Sequence, residues 1–112
     1  MYTMDEFQKV CALRAVYPFK ETGNTSSICY TLLGLVGEAG EIANKYKKVL
    51  RGDVIKEDFR SLAKDELGDV MWYIAMLAKE LNLSLNDIAE ANVEKLRSRA
   101  VRGVLKGSGD SR

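Results

Sequence analysis

Along most of the chain apolar residues recur at spacings of three and four, and no stretch shows the two-residue alternation of a half-buried strand. Met4, Phe7, Val10, Cys11 and Arg14 follow that rhythm and predict a first helix from about Thr3 to Tyr17. Pro18, Gly23 and Asn24 interrupt it, and Thr25, Ser26 or Ser27 can cap the next helix. The second helix is expected to run to about Leu50, where Arg51-Gly52-Asp53 marks a turn. A third begins near Lys56 or Glu57, whose region places acids at the positive end of the helix dipole, and runs to about Leu81. Asn82-Leu83-Ser84 forms a short connection, with Ser84 and Asp87 spaced as a capping box that opens a fourth helix over about Leu85 to Arg99. The pattern predicts an all-α fold of the four-helix bundle type, one domain over residues 1–102, and an extended Gly/Ser-rich C-terminal tail over 103–112.

Composition narrows the class. The 112 residues are 46% apolar and 29% charged, the balance of a folded domain. A chain this short buries a modest core, so self-association is expected to complete the bundle. A net charge of +1 gives no field for nucleic acid or a membrane surface, and no apolar run approaches the length of a membrane span. Asp5, Glu6 and Lys9 break up the first twenty residues, which excludes a signal-peptide core. Cys11 and Cys29 lie in apolar segments without metal-binding spacing and are read as reduced core residues. A cytoplasmic protein is expected.

Two segments depart from ordinary amphipathic patterning. In residues 28–43, ICYTLLGLVGEAGEIA, the only charges are Glu38 and Glu41, three apart and therefore on one helical face. In residues 66–78, ELGDVMWYIAMLA, the only charges are Glu66 and Asp69, again three apart. Gly34, Gly37, Gly40 and Gly68 accompany these acids, although a glycine inside a helix costs about 1 kcal/mol relative to alanine. Close approach by another helix or a ligand would explain that cost. Antiparallel packing of the two helices would bring four carboxylates together. Such carboxylates repel unless some are protonated or cations neutralise them. An oxygen-only ligand set suits Mg²⁺, with Mn²⁺ as an alternative. The chain has no histidine, which removes the Glu-x-x-His ligands of di-iron bundles and argues against a Cys/His zinc site.

The motif Glu38-Ala39-Gly40-Glu41, followed after 24 residues by Glu66-Leu67-Gly68-Asp69, resembles the ExxE…ExxD signature of the MazG-like all-α nucleoside triphosphate pyrophosphohydrolases. The segments GLVGEAGEIANKYKK, DELGDVMWYIAMLA and NVEKLRSR extend the likeness over roughly residues 28–99. The resemblance implies that Glu38, Glu41, Glu66 and Asp69 hold Mg²⁺, and that Asn92 and Lys95 lie near the metal and phosphates. It implies cleavage of a nucleoside triphosphate between the α and β phosphates, giving a nucleoside monophosphate and pyrophosphate. A homodimer or homotetramer is expected.

Glu41 or Glu38 is the expected general base toward the attacking water. Lys45, Lys47 and Lys48 follow the first acidic pair, and Lys95, Arg97, Arg99, Arg102 and Lys106 form a second basic run. Lys48 and Lys95 are the favoured phosphate partners. Trp72, Tyr73, Tyr30 and Tyr46 offer stacking surfaces for a base, although aromatics at helical spacing more often serve the core. Two other functions fit the residues: a phosphoribosyl-ATP pyrophosphohydrolase with the same chemistry, and a non-catalytic helical oligomerisation module that retains acidic faces.

Overall fold

The computed structural model describes residues 1–104, 106, 107 and 109. Four helices follow in order: α1 (Met4–Arg14), α2 (Thr25–Leu50), α3 (Lys56–Glu80) and α4 (Leu85–Arg102). Among the described residues there is no strand, as the apolar periodicity predicts.

Local chemistry sets the helix ends. Thr3 and Glu6 form a reciprocal capping box at the start of α1. That helix ends at Arg14, short of the expected Tyr17. Ala15 turns to extended backbone, and the Lys20 ammonium donates to the carbonyls of Ala12 and Ala15, at 3.4 and 2.6 Å. Asn24, one residue ahead of the expected caps, caps α2 by accepting from the Ser27 amide at 2.9 Å. Ser84 caps α4 and accepts from the Asp87 amide, as its spacing predicts. The fourth helix runs three residues beyond Arg99 and stops at Gly103, whose φ of +71° is left-handed. Hydrogen bonds from Gly103 N to Ala100 O and from Val104 N to Arg99 O complete a Schellman cap. Leu105, Ser108 and residues 110–112 of the expected tail lie outside the described residues.

Helices α2 and α3 form an antiparallel hairpin. Ser27 meets Glu80, Gly34 meets Tyr73, Lys45 meets Glu66 and Tyr46 meets Phe59, so positions rise along one helix as they fall along the other. Helix α1 packs on α3, and α4 packs chiefly on α1. The buried apolar core comprises Cys11, Ala12, Ala15, Tyr17, Ala75, Met76, Ala78 and Leu85, with Phe7 and Trp72 against it. Gln8 ties three elements to this core. Its Nε2 donates to Ala75 O and Leu83 O, while its Oε1 accepts from Leu85 N. Cys11 is buried as expected, but Cys29 is exposed, because its position on α2 faces away from α1 and α3.

Much apolar surface stays outside this core. Leu33 and Val36 on α2, Leu67 and Met71 on α3, and Val93 and Val101 on α4 are all exposed. The radius of gyration is 16.8 Å, against about 13 Å for a compact chain of this length.

Candidate active site

Two helices supply the acids. Glu38 projects from α2, and Glu66 and Asp69 from the facing stretch of α3; one carboxylate oxygen from each lies within 4.8 Å of the other two. Glu66 is buried, Glu38 half-buried and Asp69 exposed. The Lys45 ammonium, one turn past Glu41 on α2, donates to Glu66 Oε1. Glu66 Oε2 is buried and has no hydrogen-bond partner among the described residues. A buried carboxylate oxygen in that condition forfeits its hydration without replacement.

Electrostatics divides the acids. Glu38 is pushed above the ordinary glutamate range, first because its protonated form can donate to Glu66, then by partial burial and the charges of Asp69, Glu66 and Glu41. Glu66 is held below that range, chiefly by the Lys45 ammonium and then by the same bond from Glu38. With both glutamates ionised, neither can donate to the other, and Glu66 Oε2 keeps no partner among the described residues. An oxygen-donor cluster with an orphaned buried oxygen fits a hard divalent cation.

Three of the four sequence-predicted acids therefore converge. Glu41 is exposed and lies outside the tight group, although its charge contributes to raising both Glu38 and Lys45. Among the lysines, Lys45 reaches the cluster, whereas Lys48 lies exposed on the last turn of α2. Asn92 and Lys95 line a groove on α4 with Ile88 and Ala91, and the acids are not among the residues that line it.

A cavity of about 320 Å³ adjoins the cluster, lined by Glu38, Asp69, Trp72 and Tyr73. Trp72 and Tyr73 meet edge to face, with ring centroids 5.0 Å apart. Tyr30 stacks on Tyr17 behind them. Tyr46 packs on Phe59 instead, at 4.9 Å, as a hairpin contact. Of the four glycines near the acids, Gly34 alone meets another helix. A β-carbon on Gly37, Gly40 or Gly68 would enter open space.

Sequence reasoning passed over Glu80, the most heavily bonded acid among the described residues. Its carboxylate accepts from the Tyr17 and Ser27 hydroxyls and from the Glu21 and Gly23 amides. Glu80 is the last residue of α3, and its one visible signal is its place two residues after the apolar run closes on Ala78. Three of its four bonds are to the loop between α1 and α2, whose conformation no spacing rule encodes.

The MazG nucleotide pyrophosphohydrolase domain matches residues 27–103, a span that contains all four acids, Lys45 and the aromatic pair. The chain is 46% identical to the Gene 37 protein of Mycobacterium phage L5 over 112 aligned positions, covering 97% of this chain and 98% of the phage protein. No solved structure matches. With the family's domain spanning the hairpin and its acids, the chain belongs to the MazG nucleotide pyrophosphohydrolase family.

Proposed function

We propose that this chain is a Mg²⁺-dependent nucleoside triphosphate pyrophosphohydrolase that cleaves between the α and β phosphates, with Mn²⁺ as an alternative metal. The observation that carries the reading is the meeting of Glu38, Glu66 and Asp69 around an orphaned buried oxygen in a chain of this family. Bound at these oxygens, a divalent ion would neutralise triphosphate charge and polarise the scissile phosphate. Glu41, outside the tight group, is the carboxylate left to accept the proton of the attacking water. Water oxygen bonds to the α phosphorus, the bridging bond to the β phosphate breaks, and pyrophosphate leaves with that electron pair. Lys45 sits close enough to the acids to pass from Glu66 to a phosphate oxygen when a cation takes its place.

The reading includes a second copy of the chain. Asn92 and Lys95 do not line the acid cavity of their own chain, and the exposed apolar residues of α2, α3 and α4 offer a surface on which a homodimer or homotetramer can form. No helix is long and apolar enough to cross a membrane among the described residues, and a cytoplasmic setting suits a nucleotide-pool enzyme.

The test is incubation with canonical and modified nucleoside triphosphates and with phosphoribosyl-ATP, with and without Mg²⁺, followed by product identification. Mg²⁺-dependent appearance of a monophosphate with pyrophosphate is expected. Release of orthophosphate would contradict α–β cleavage, and a stable oligomer inert toward every substrate would favour a non-catalytic helical module.

A further inference from the structure

Gly34 lies one turn before Glu38 on α2, and the Tyr73 ring of α3 rests against its bare backbone. A β-carbon at Gly34 would stand 2.0 Å from Tyr73 Cε1 and 2.4 Å from both Cδ1 and Cζ. Ordinary carbon contacts are about 3.5–4.0 Å, so any side chain at this position displaces the ring by about an ångström or more. The same ring is one of the four groups lining the cavity beside Glu38 and Asp69. Gly37, Gly40 and Gly68 have open space where a β-carbon would go, so this contact singles out Gly34.

We propose that Gly34 is a positioning residue: by leaving its backbone bare it seats the Tyr73 ring, and so fixes the wall of the cavity that receives the nucleoside part of the substrate. The nucleoside assignment rests on the pyrophosphohydrolase reading; the seating of the ring does not. A small residue at position 73 would let the helices meet equally well over alanine. Here a large ring is placed on a glycine, and the ring's neighbours in the cavity are Trp72 and two of the converging carboxylates. Moving the ring changes the shape of the cavity while leaving Glu38, Glu66 and Asp69 on their helices.

The chain's single tryptophan, Trp72, touches Tyr73 edge to face and reports directly on the ring. The experiment compares wild type, Gly34→Ala, Tyr73→Ala and the double variant by far-UV circular dichroism and Trp72 fluorescence. Steady-state cleavage of dATP, dCTP, dGTP, dTTP and dUTP with Mg²⁺ is measured in parallel. Gly34→Ala is expected to keep its helix content, shift the Trp72 emission and lose about tenfold or more in kcat/KM on the best of the five nucleotides, with the loss in KM. In the Tyr73→Ala background the added Gly34→Ala change is expected to leave emission unchanged and KM within about twofold.

Wild-type emission and KM in Gly34→Ala would overturn the proposal, as would an equal cost in both backgrounds. If Gly34→Ala loses its helices, recovery of helix content in the double variant supports the ring contact, and no recovery overturns it. A wild-type protein that cleaves neither these five nor any triphosphate of the wider panel would refute the pyrophosphohydrolase reading, while the Trp72 comparison still decides whether Gly34 seats the ring.

Discussion

The Tyr17 hydroxyl donates to Glu80 Oε2, joining the segment after α1 to the last residue of α3. Both residues are buried, and the same carboxylate gathers the Ser27 hydroxyl and the amides of Glu21 and Gly23. Replacing Glu80 with alanine removes the shared acceptor of all four donors, of which the Ser27 hydroxyl alone keeps another, Asn24 O. The expected loss is on the order of 3 kcal/mol of unfolding free energy, read as a lower urea midpoint. Glu80→Gln should lose less, since its carbonyl still accepts.

The same residue sets an acid limit on stability. Burial alone would push the Glu80 carboxyl up, but the hydrogen bonds from Tyr17, Ser27, Glu21 and Gly23 outweigh it and hold the group below the ordinary glutamate value. A carboxyl depressed in the folded state stabilises fully above its unfolded pKa, and that contribution fades as pH falls through the folded value. The stability gap between wild type and Glu80→Gln should therefore be constant near neutrality and close below about pH 4. Urea titrations across that range check this.

Metal should be visible without turnover. A ligand that binds only the folded state raises its stability by about 2.7 kcal/mol at one hundred times its dissociation constant. Mg²⁺ or Mn²⁺ is expected to raise the melting temperature of wild type, and EDTA to reverse the rise. Glu66→Gln and Asp69→Asn should flatten that response. An unchanged metal response in both variants would place the cation elsewhere.

Glu41→Gln separates the proton acceptor from the ligands. Turnover should fall by about 100-fold or more, the contribution typical of a positioned base, while the Mg²⁺-induced rise in melting temperature persists. Near-wild-type turnover would move the base to another group.

The exposed apolar faces bear on solution state. Light scattering should give a dimer or tetramer, and Met71→Glu on the open face of α3 should shift it toward monomer. A monodisperse wild-type monomer would remove the second copy from the reading.

The helices were legible because their apolar periodicity and their breakers, Pro18, Gly52 and Gly103, act locally. The pairing of Glu38 with Glu66 and Asp69 was legible for a different reason: these acids are the charged residues in two apolar runs, and such runs face one another. The remainder depends on tertiary contacts. Glu41 belongs to the same sequence motif, yet its place on the helix leaves it in solvent. The sequence favours Lys48 among the basic residues after the first acidic pair, yet the hairpin register brings Lys45, not Lys48, to Glu66. Gln8 and Glu80 gave little pattern, because their value lies in bonds to backbone groups and hydroxyls distant in sequence.

The hairpin that carries the acids is a beam clamped at both ends. Chain connectivity through residues 51–55 closes one end, and the Glu80 carboxylate on Ser27 closes the other. Glu38 stands near mid-span, about 16 Å along the helix from Ser27 and about 18 Å from Leu50. Opening either clamp lets the helices bow apart where the carboxylates face each other. The spacing of the acids is thus governed as much by a serine and a glutamate about three to four turns away as by the acids themselves.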